Sequence, residues 1–290
     1  MGVEAVGRPT GLESWLQWGI QELAFLGERE AREECEQILE SLFQVSRPEL
    51  YLTLHLNREA FHEFSRIVET RKERIPLGFL LKRVPFWEEE LEVEEGVFIP
   101  RPETEILIEA FVESGEFART DSFRFLDVGT GSGNIAVTIA KLFPSSQGVG
   151  SDLSMEALQC ARRNSERLKV RERIEWIHSF GLEAFKKEGF DAVFSNPPYV
   201  ASADWEGLEP EVQKEPRLAL DGGKDGLDFY RKILKDMSCL KKKKRLWVEV
   251  GWNQSTQVES LFRENGFGFI RNFKDLNQIE RVVSGVKLNG

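Results

Sequence analysis

The sequence has few of the residues that staple a fold or hold a metal: three cysteines and three histidines in 290 residues. Cys35, Cys160 and Cys239 are far apart and odd in number, which argues against a disulfide framework and fits a reducing cytoplasm. The histidines are not paired at ligand spacing, so no metal site is expected. No apolar run approaches the roughly 18 residues of a membrane span. Residues 1–10 lack a basic region followed by an apolar run, so neither a membrane anchor nor a secretion signal is expected. Positive charge is also in deficit: 39 Lys and Arg against 49 Asp and Glu give a net charge of −10. Nucleic-acid affinity comes largely from neutralising phosphates. An acidic chain therefore leans away from direct nucleic-acid binding and toward a protein or small-molecule substrate.

The apolar residues that are present change period along the chain. Leu12, Trp15, Leu16, Gly19, Ile20, Leu23 and Leu26 recur at helical spacing, as do Ile38, Leu39, Leu42 and Phe43, and then Phe61, Phe64, Ile67 and Val68. Short amphipathic helices bury their apolar faces against each other, so residues 1–77 read as a small helical bundle. Over 78–98, Pro85 interrupts the pattern and Leu91, Val93 and Val97 roughly alternate with glutamates, which reads as a β-hairpin linker. Residues 99–290 alternate strand and helix. Strands are expected at 123–128, 148–152, 173–178, 191–195, 246–250 and 268–273, and helices at 104–113, 134–142, 154–167, 226–240 and 255–265. The fold class is therefore α/β, a doubly wound, mostly parallel Rossmann-like sheet with a small N-terminal α-helical domain. Ligands of such sheets bind at the carboxyl ends of the strands.

The first of these strands ends in Asp127, Val128, Gly129, Thr130, Gly131, Ser132, Gly133 and Asn134. The glycines allow sharp turning and close approach to a ligand, and the following helix offers free N–H groups. A dinucleotide fingerprint needs a glycine where Asn134 stands, and a phosphate-binding P-loop needs a Gly-Lys-Ser/Thr end. What remains is the D-x-G-x-G-x-G loop of methyltransferases, with a plain strand-to-helix turn as the bland alternative. Asp152, at the end of the second strand, is suited to accept both ribose hydroxyls of a nucleoside, or simply to cap the next helix. Together they point to S-adenosyl-L-methionine as cofactor. Phe180, after the third strand, either stacks on the base or belongs to the core.

The fourth strand runs into Asn196, Pro197, Pro198 and Tyr199. Two prolines remove two backbone donors and fix φ twice, and Asn196 is pushed out of helical geometry, giving a stiff turn. An amide or amino nitrogen conjugated to a π-system is a poor nucleophile, and no side chain is basic enough to deprotonate it. Asn196 Oδ1 and the Pro197 carbonyl can instead accept its two N–H bonds and hold it at a near-attack distance of roughly 3–3.5 Å. The Tyr199 ring is expected to stack on the flat group.

With these motifs in place, the chain resembles the HemK/PrmC family of protein-(glutamine-N5) methyltransferases that modify peptide chain release factors. The segment Phe98, Ile99, Pro100, Arg101, Pro102, Glu103, Thr104, Glu105 is similar to the family's I-P-R-P-E-T-E signature. Glu215-Pro216, Leu218-Ala219-Leu220, residues 223–227, Glu249 and Gly251 are similar to later stretches. The resemblance implies an N-terminal domain that helps dock a release factor, methylation of the glutamine in its Gly-Gly-Gln tripeptide, and a place for Phe98 in the glutamine pocket. A cytoplasmic monomer is expected. The chain departs from the family pattern at Lys82 and Glu88, where glycines are usual, at Phe180, where an acid is frequent, and in the basic run 241–245. An adenine methyltransferase of nucleic acids and a non-catalytic cofactor-binding protein are the rival readings.

Overall fold

The computed structural model describes residues 11–53, 57–186, 188–241 and 244–288. Residues 1–10, and positions 242 and 243 of the basic run, lie outside the described residues. Two compact units are present, Met1–Lys82 with Pro210–Lys214, and Arg83–Glu209 with Glu215–Gly290.

The first unit contains α1 (Leu12–Glu22), α2 (Glu28–Phe43), α3 (Arg47–Thr53), α4 (Arg58–Arg71) and α5 (Leu77–Leu81). Trp15, Leu16, Ile38, Leu39, Phe64 and Val68 form its core, the apolar faces expected from the periodicity. Gly19 allows the helices to approach closely, since a Cβ there would sit 2.5 Å from Cys35 Sγ and 3.0 Å from the Phe64 ring. Asn57 starts α4 by accepting the Ala60 N–H at 2.8 Å. The buried Arg71 bonds both Glu34 and Glu211 at 2.7 Å, so its charge is matched inside the unit. Glu211 comes from the short segment 210–214, which the sequence pattern did not connect to the helices.

The second unit opens with a hairpin, β1 (Arg83–Phe86) and β2 (Glu89–Glu92), paired antiparallel. Trp87 takes φ 58° in its turn and Lys82 takes φ 58° just before it, both in the left-handed region that favours glycine. Then follow α6 (Glu105–Glu113), β3 (Arg124–Val128), α7 (Asn134–Leu142), β4 (Gln147–Asp152), α8 (Met155–Arg167), β5 (Ile174–His178), β6 (Ala192–Ser195), α9 (Asp228–Asp236), β7 (Lys244–Glu249), α10 (Ser255–Glu264), β8 (Phe267–Lys274) and β9 (Glu280–Lys287). The sheet runs β5-β4-β3-β6-β7-β9-β8, with β9 antiparallel to both of its neighbours.

The expected helix over 226–240 is shorter than its apolar pattern and ends in a 3₁₀ turn, Met237–Cys239. β9 was not expected. Val282 and Val283 are both buried, one on each face of the sheet, and Ser284 and Gly285 follow, so no polar alternation marks the strand. Elsewhere alternation places Phe125, Phe194 and Trp247 toward α6 and α7, and Leu126, Val193 and Leu246 toward α9 and α10. The strand order reverses at β3, so the crevice at the carboxyl ends of β3 and β6 is the topological switch point. Among the described residues, no helix is long and apolar enough to cross a membrane.

Phe111 of α6 is the keystone of the first face. Its ring centroid lies 4.9 Å from that of Phe194, 5.1 Å from Trp247 and 5.2 Å from Phe143. Phe111→Ala is expected to lower the unfolding free energy by roughly 3–5 kcal/mol in urea titration. A loss below about 1 kcal/mol is the surface-substitution range and contradicts this packing.

Candidate active site

The switch-point crevice opens into a cavity of about 580 Å³. This is within the roughly 300–1,000 Å³ of small-molecule pockets. Of the residues singled out from the sequence, Phe98, Gly129, Thr130, Gly131, Ser132, Asp152, Phe180, Asn196 and Pro198 line it, whereas Asp127, Gly133, Pro197 and Tyr199 do not.

Gly129 and Gly131 have φ values of 72° and 55° and present open space where a Cβ would be, so the backbone itself faces the cavity. The loop is fixed from β4: the Gly129 and Thr130 N–H groups donate to the Ser151 carbonyl at 2.8 and 2.9 Å. Gly133 is spent on packing, with a Cβ there meeting Ala161 at 3.0 Å and Trp176 at 3.1 Å.

Asp127 is fully buried beneath the loop. Its Oδ2 accepts from Thr130 Oγ1 at 2.5 Å and from the Ala136 N–H at 3.2 Å. It therefore shapes the loop rather than touching a ligand in the cavity. Burial pushes its pKa from the ordinary 3.8 to about 7, the two hydrogen bonds pull it back, and the charge of Asp152 adds to the rise. Asp152 itself stands in the cavity wall. Its two oxygens accept from the Gly131 and Ser154 N–H groups, each at 2.9 Å, so it joins loop and helix start as well as facing the cavity. The helix cap itself is Ser154, whose Oγ accepts the Ala157 N–H at 3.1 Å, so Asp152 braces the cap residue and faces the cavity.

Phe180 is 42% exposed and is not a core residue. Lys232 Nζ lies 4.6 Å over its ring and the Phe229 ring meets it edge-on at 6.2 Å. Phe98 lines the other side of the cavity. Its loop is pinned by the buried Glu215, which accepts the Ile99 N–H at 3.0 Å and pairs with Arg101.

The Asn-Pro-Pro-Tyr turn leaves β6 directly, and Ser195 Oγ ties that strand end to the Val128 carbonyl at 2.7 Å. Asn196 Nδ2 donates to Thr104 Oγ1 at 3.0 Å. Neither Asn196 Oδ1 nor the Pro197 carbonyl accepts a hydrogen bond among the described residues. The far side of the turn is clamped: Gln254 Nε2 donates to the Tyr199 carbonyl at 2.9 Å, and a Cβ on Gly226 would come 2.3 Å from that same oxygen. The Tyr199 ring differs from expectation. It packs, partly buried, on the α9–α10 face and beside Gly251, where a Cβ would lie 3.3 Å from its Cδ2, and it does not line the cavity.

Several positioning residues carry no local signal. Asn164 of α8 donates to the Ser132 carbonyl at 2.9 Å, holding the glycine loop, and exchanges hydrogen bonds with the Glu92 backbone. Thr104 read only as part of a signature. Glu249 is buried at the end of β7, and that burial raises its pKa from 4.5 to about 7.

The comparisons with known proteins agree with this geometry. A family model described as Methyltransferase small domain matches residues 95–210, and one described as PrmC N-terminal domain matches residues 14–81. The release factor glutamine methyltransferase of Caulobacter vibrioides is 38% identical over 258 residues, covering 88% of this chain and 89% of its own. That of Geobacter sulfurreducens is 38% identical over 274 residues, covering 93% and 94%. The chain belongs to the release factor glutamine methyltransferase family. It is a methyltransferase, and its cofactor is S-adenosyl-L-methionine. A solved methyltransferase from Pyrococcus furiosus, 17% identical with a TM-score of 0.50 over 68% of this chain and 88% of that chain, shares the fold. The cavity fits such a cofactor: bare glycine backbone lies on one wall and the Asp152 carboxylate on another.

Asp127 gives a signed pH test. An acid whose pKa is higher folded than unfolded makes ionisation costly to the fold, so its contribution to stability falls from about pH 4 to about pH 7 and is constant above. The stability of Asp127→Asn relative to wild type, from urea unfolding without cofactor, should therefore rise across that window and then level. A difference that does not vary with pH contradicts the buried, only partly compensated carboxylate.

Proposed function

We propose that this enzyme transfers methyl from S-adenosyl-L-methionine to the side-chain amide nitrogen of the glutamine in the Gly-Gly-Gln tripeptide of a peptide chain release factor. The observation that carries the reading is the Asn196 amide. Its NH₂ is tied to Thr104, so Oδ1 is left for the cavity that Asn196 lines, and the Pro197 carbonyl that follows in the turn has no hydrogen-bond partner among the described residues. Two acceptors at the end of a strand suit a planar –NH₂ group, and the names of the relatives supply which one.

When bound, S-adenosyl-L-methionine supplies a methyl already activated by a sulfonium, so this chain's task is to present the nitrogen. In this reading Asn196 Oδ1 and the Pro197 carbonyl accept the two amide protons and orient the lone pair. As positive charge develops on nitrogen, the same dipoles stabilise it. Phe98 offers an apolar wall to the glutamine side chain. The open backbone at Gly129 and Gly131 leaves room for the methionine part of the cofactor, Asp152 accepts from the ribose hydroxyls, and Phe180 lies against the base. Residues 1–77 dock the release factor, 78–98 link, and 99–290 carry the chemistry. The enzyme works as a monomer in the cytoplasm, with all three cysteines free.

Three experiments test the reading. Incubation with labelled cofactor and either a release factor or DNA should label only the factor, and mass spectrometry should place the added methyl on the glutamine; label in DNA alone sinks the proposal. Asn196→Ala should reduce turnover by about 10²–10³, the cost of removing one preorganised dipole, while calorimetry finds cofactor affinity within a few-fold. Asp152→Ala should do the opposite, weakening cofactor by roughly tenfold or more for each charged hydrogen bond lost. Unchanged turnover in the first variant, or unchanged affinity in the second, contradicts the corresponding role.

A further inference from the structure

The antiparallel edge of the sheet carries a second cavity. α6 lies on the face that holds Trp247 and stops at Glu113. Next to its end, strands β7, β9 and β8 floor a cavity of about 400 Å³, near the amino end of β7. It shares no lining residue with the switch-point crevice. Register builds its floor. Trp247 pairs with Ser284, and Ser284 pairs with Arg271. Residues directly opposite in antiparallel strands share a side of the sheet, with Cβ atoms roughly 4.5–5.5 Å apart. The three therefore form one row across the strands. Arg245, Phe273 and Val286 stand two residues along on the same side and line the cavity too.

The row consists of donors that lack acceptors. Trp247 is 2% exposed, and its Nε1, which can only donate, has no hydrogen-bond partner among the described residues. Ser284 is 7% exposed, and its hydroxyl makes no hydrogen bond among the described residues. Arg271 is exposed and has no ion pair among the described residues. Buried polar side chains are ordinarily satisfied, so two unpartnered ones side by side in a cavity point to an acceptor supplied from outside.

The remaining residues restrict what that acceptor can be. Arg245 brings a second guanidinium, on the strand across β9 from Arg271, and it pairs with Glu116. Lys287 is turned to the opposite face, where its ammonium donates to the Asn265 carbonyl and lies 5.3 Å from the centre of the Phe267 ring. Two guanidiniums thus face one carboxylate, and the C-terminal end of α6 adds a further negative pole. This balance suits a single negative charge. A carboxylate is such an anion, and its two oxygens match a guanidinium. The walls are apolar and partly aromatic. Phe269 takes φ 51° inside the register shift between Gly268 and Arg271 and is 79% exposed. A bulge re-aims a side chain, and this one sets a phenyl ring at the cavity wall instead of in the core. We propose that this cavity binds a small aromatic carboxylate, with the carboxylate on Arg271 and Ser284 and the ring against Phe269 and Phe273. The site is separate from the methyl-transfer cavity and does not depend on which nitrogen that cavity methylates.

The test titrates the full chain with 3-phenylpropionate by calorimetry, with and without saturating S-adenosylhomocysteine. A Kd of about 1 mM or below is expected in both cases, ordinary for a ligand of about eleven non-hydrogen atoms. The neutral 3-phenylpropanol should bind about tenfold more weakly, the cost of a lost charged hydrogen bond. Arg271→Gln should weaken 3-phenylpropionate by about tenfold and Ser284→Ala by about threefold. Phe269→Asn keeps a residue that tolerates the left-handed backbone and should weaken it by about threefold or more. Glu116→Gln removes the opposing charge and should tighten binding by about threefold. The indole N–H signal of Trp247, assigned by its loss in Trp247→Phe, should move on titration. Unchanged affinity for S-adenosylhomocysteine shows that a variant is folded; where one is not, the comparison of acid with alcohol in wild type decides. No binding up to about 10 mM, equal affinity for the alcohol, or weaker binding in Glu116→Gln overturns the proposal. So does competition with S-adenosylhomocysteine, which places the probe in the other cavity.

Discussion

The hydrogen bond from Asn196 to Thr104 joins positions 92 residues apart, and much of the second unit can be understood as the means of making it. Asn196 arrives at the end of β6 because β6 pairs with β3 and β7 in the middle of the sheet. Thr104 arrives because α6 lies on one face of that sheet, held by Phe111 against Phe194 and Trp247. The prolines after Asn196 prevent the turn from relaxing, and Gln254 and Gly226 clamp it from behind. A side-chain amide left to itself rotates and offers either end. Here one end is engaged, so the other has a defined chemical character.

The same crevice gathers carboxylates that no surface position would penalise. Asp127, Asp152 and Glu249 all have raised pKa values, with burial the largest cause in each case. Removing a charge from water is costly, and each of these is only partly compensated by hydrogen bonds. That arrangement is what an electrostatic mechanism needs. In a cavity where water competes poorly, a few fixed dipoles act more strongly than in solvent, and they need no reorganisation when charge appears on the reacting nitrogen. Stability given up beneath the glycine loop and at the end of β7 is thus located where the site gains definition.

The sequence revealed the parts of the site that are local. A glycine must stand wherever backbone takes positive φ beside a ligand, so the loop from Asp127 to Gly133 announced itself, and two prolines after an asparagine announced a stiff turn. Period-2 and helical spacing located most strands and helices within a residue or two. What could not be read was pairing at a distance. Nothing near Thr104 or Asn196 says that they meet, and Asn164 looks like any polar helix residue until it is seen holding Ser132. β9 escaped because a strand covered on both faces loses its alternation. Tyr199 is assigned to the substrate on the strength of its motif, whereas its ring packs, partly buried, against the α9–α10 face and does not line the cavity. Short segments such as 210–214 can join a unit far from their neighbours in sequence through one carboxylate, here Glu211 paired with both Arg71 and Arg74, which no composition argument foresees.

The account depends on the Asn196 oxygen, and one measurement reaches it directly. Neutron diffraction from a deuterated crystal of the enzyme with S-adenosylhomocysteine and a peptide containing Gly-Gly-Gln distinguishes the two ends of an amide. The account predicts the glutamine nitrogen within about 3 Å of Asn196 Oδ1, a hydrogen-bond distance, with the Asn196 deuterons toward Thr104. Deuterons on the atom facing the glutamine, or a glutamine held away from Asn196, would contradict it.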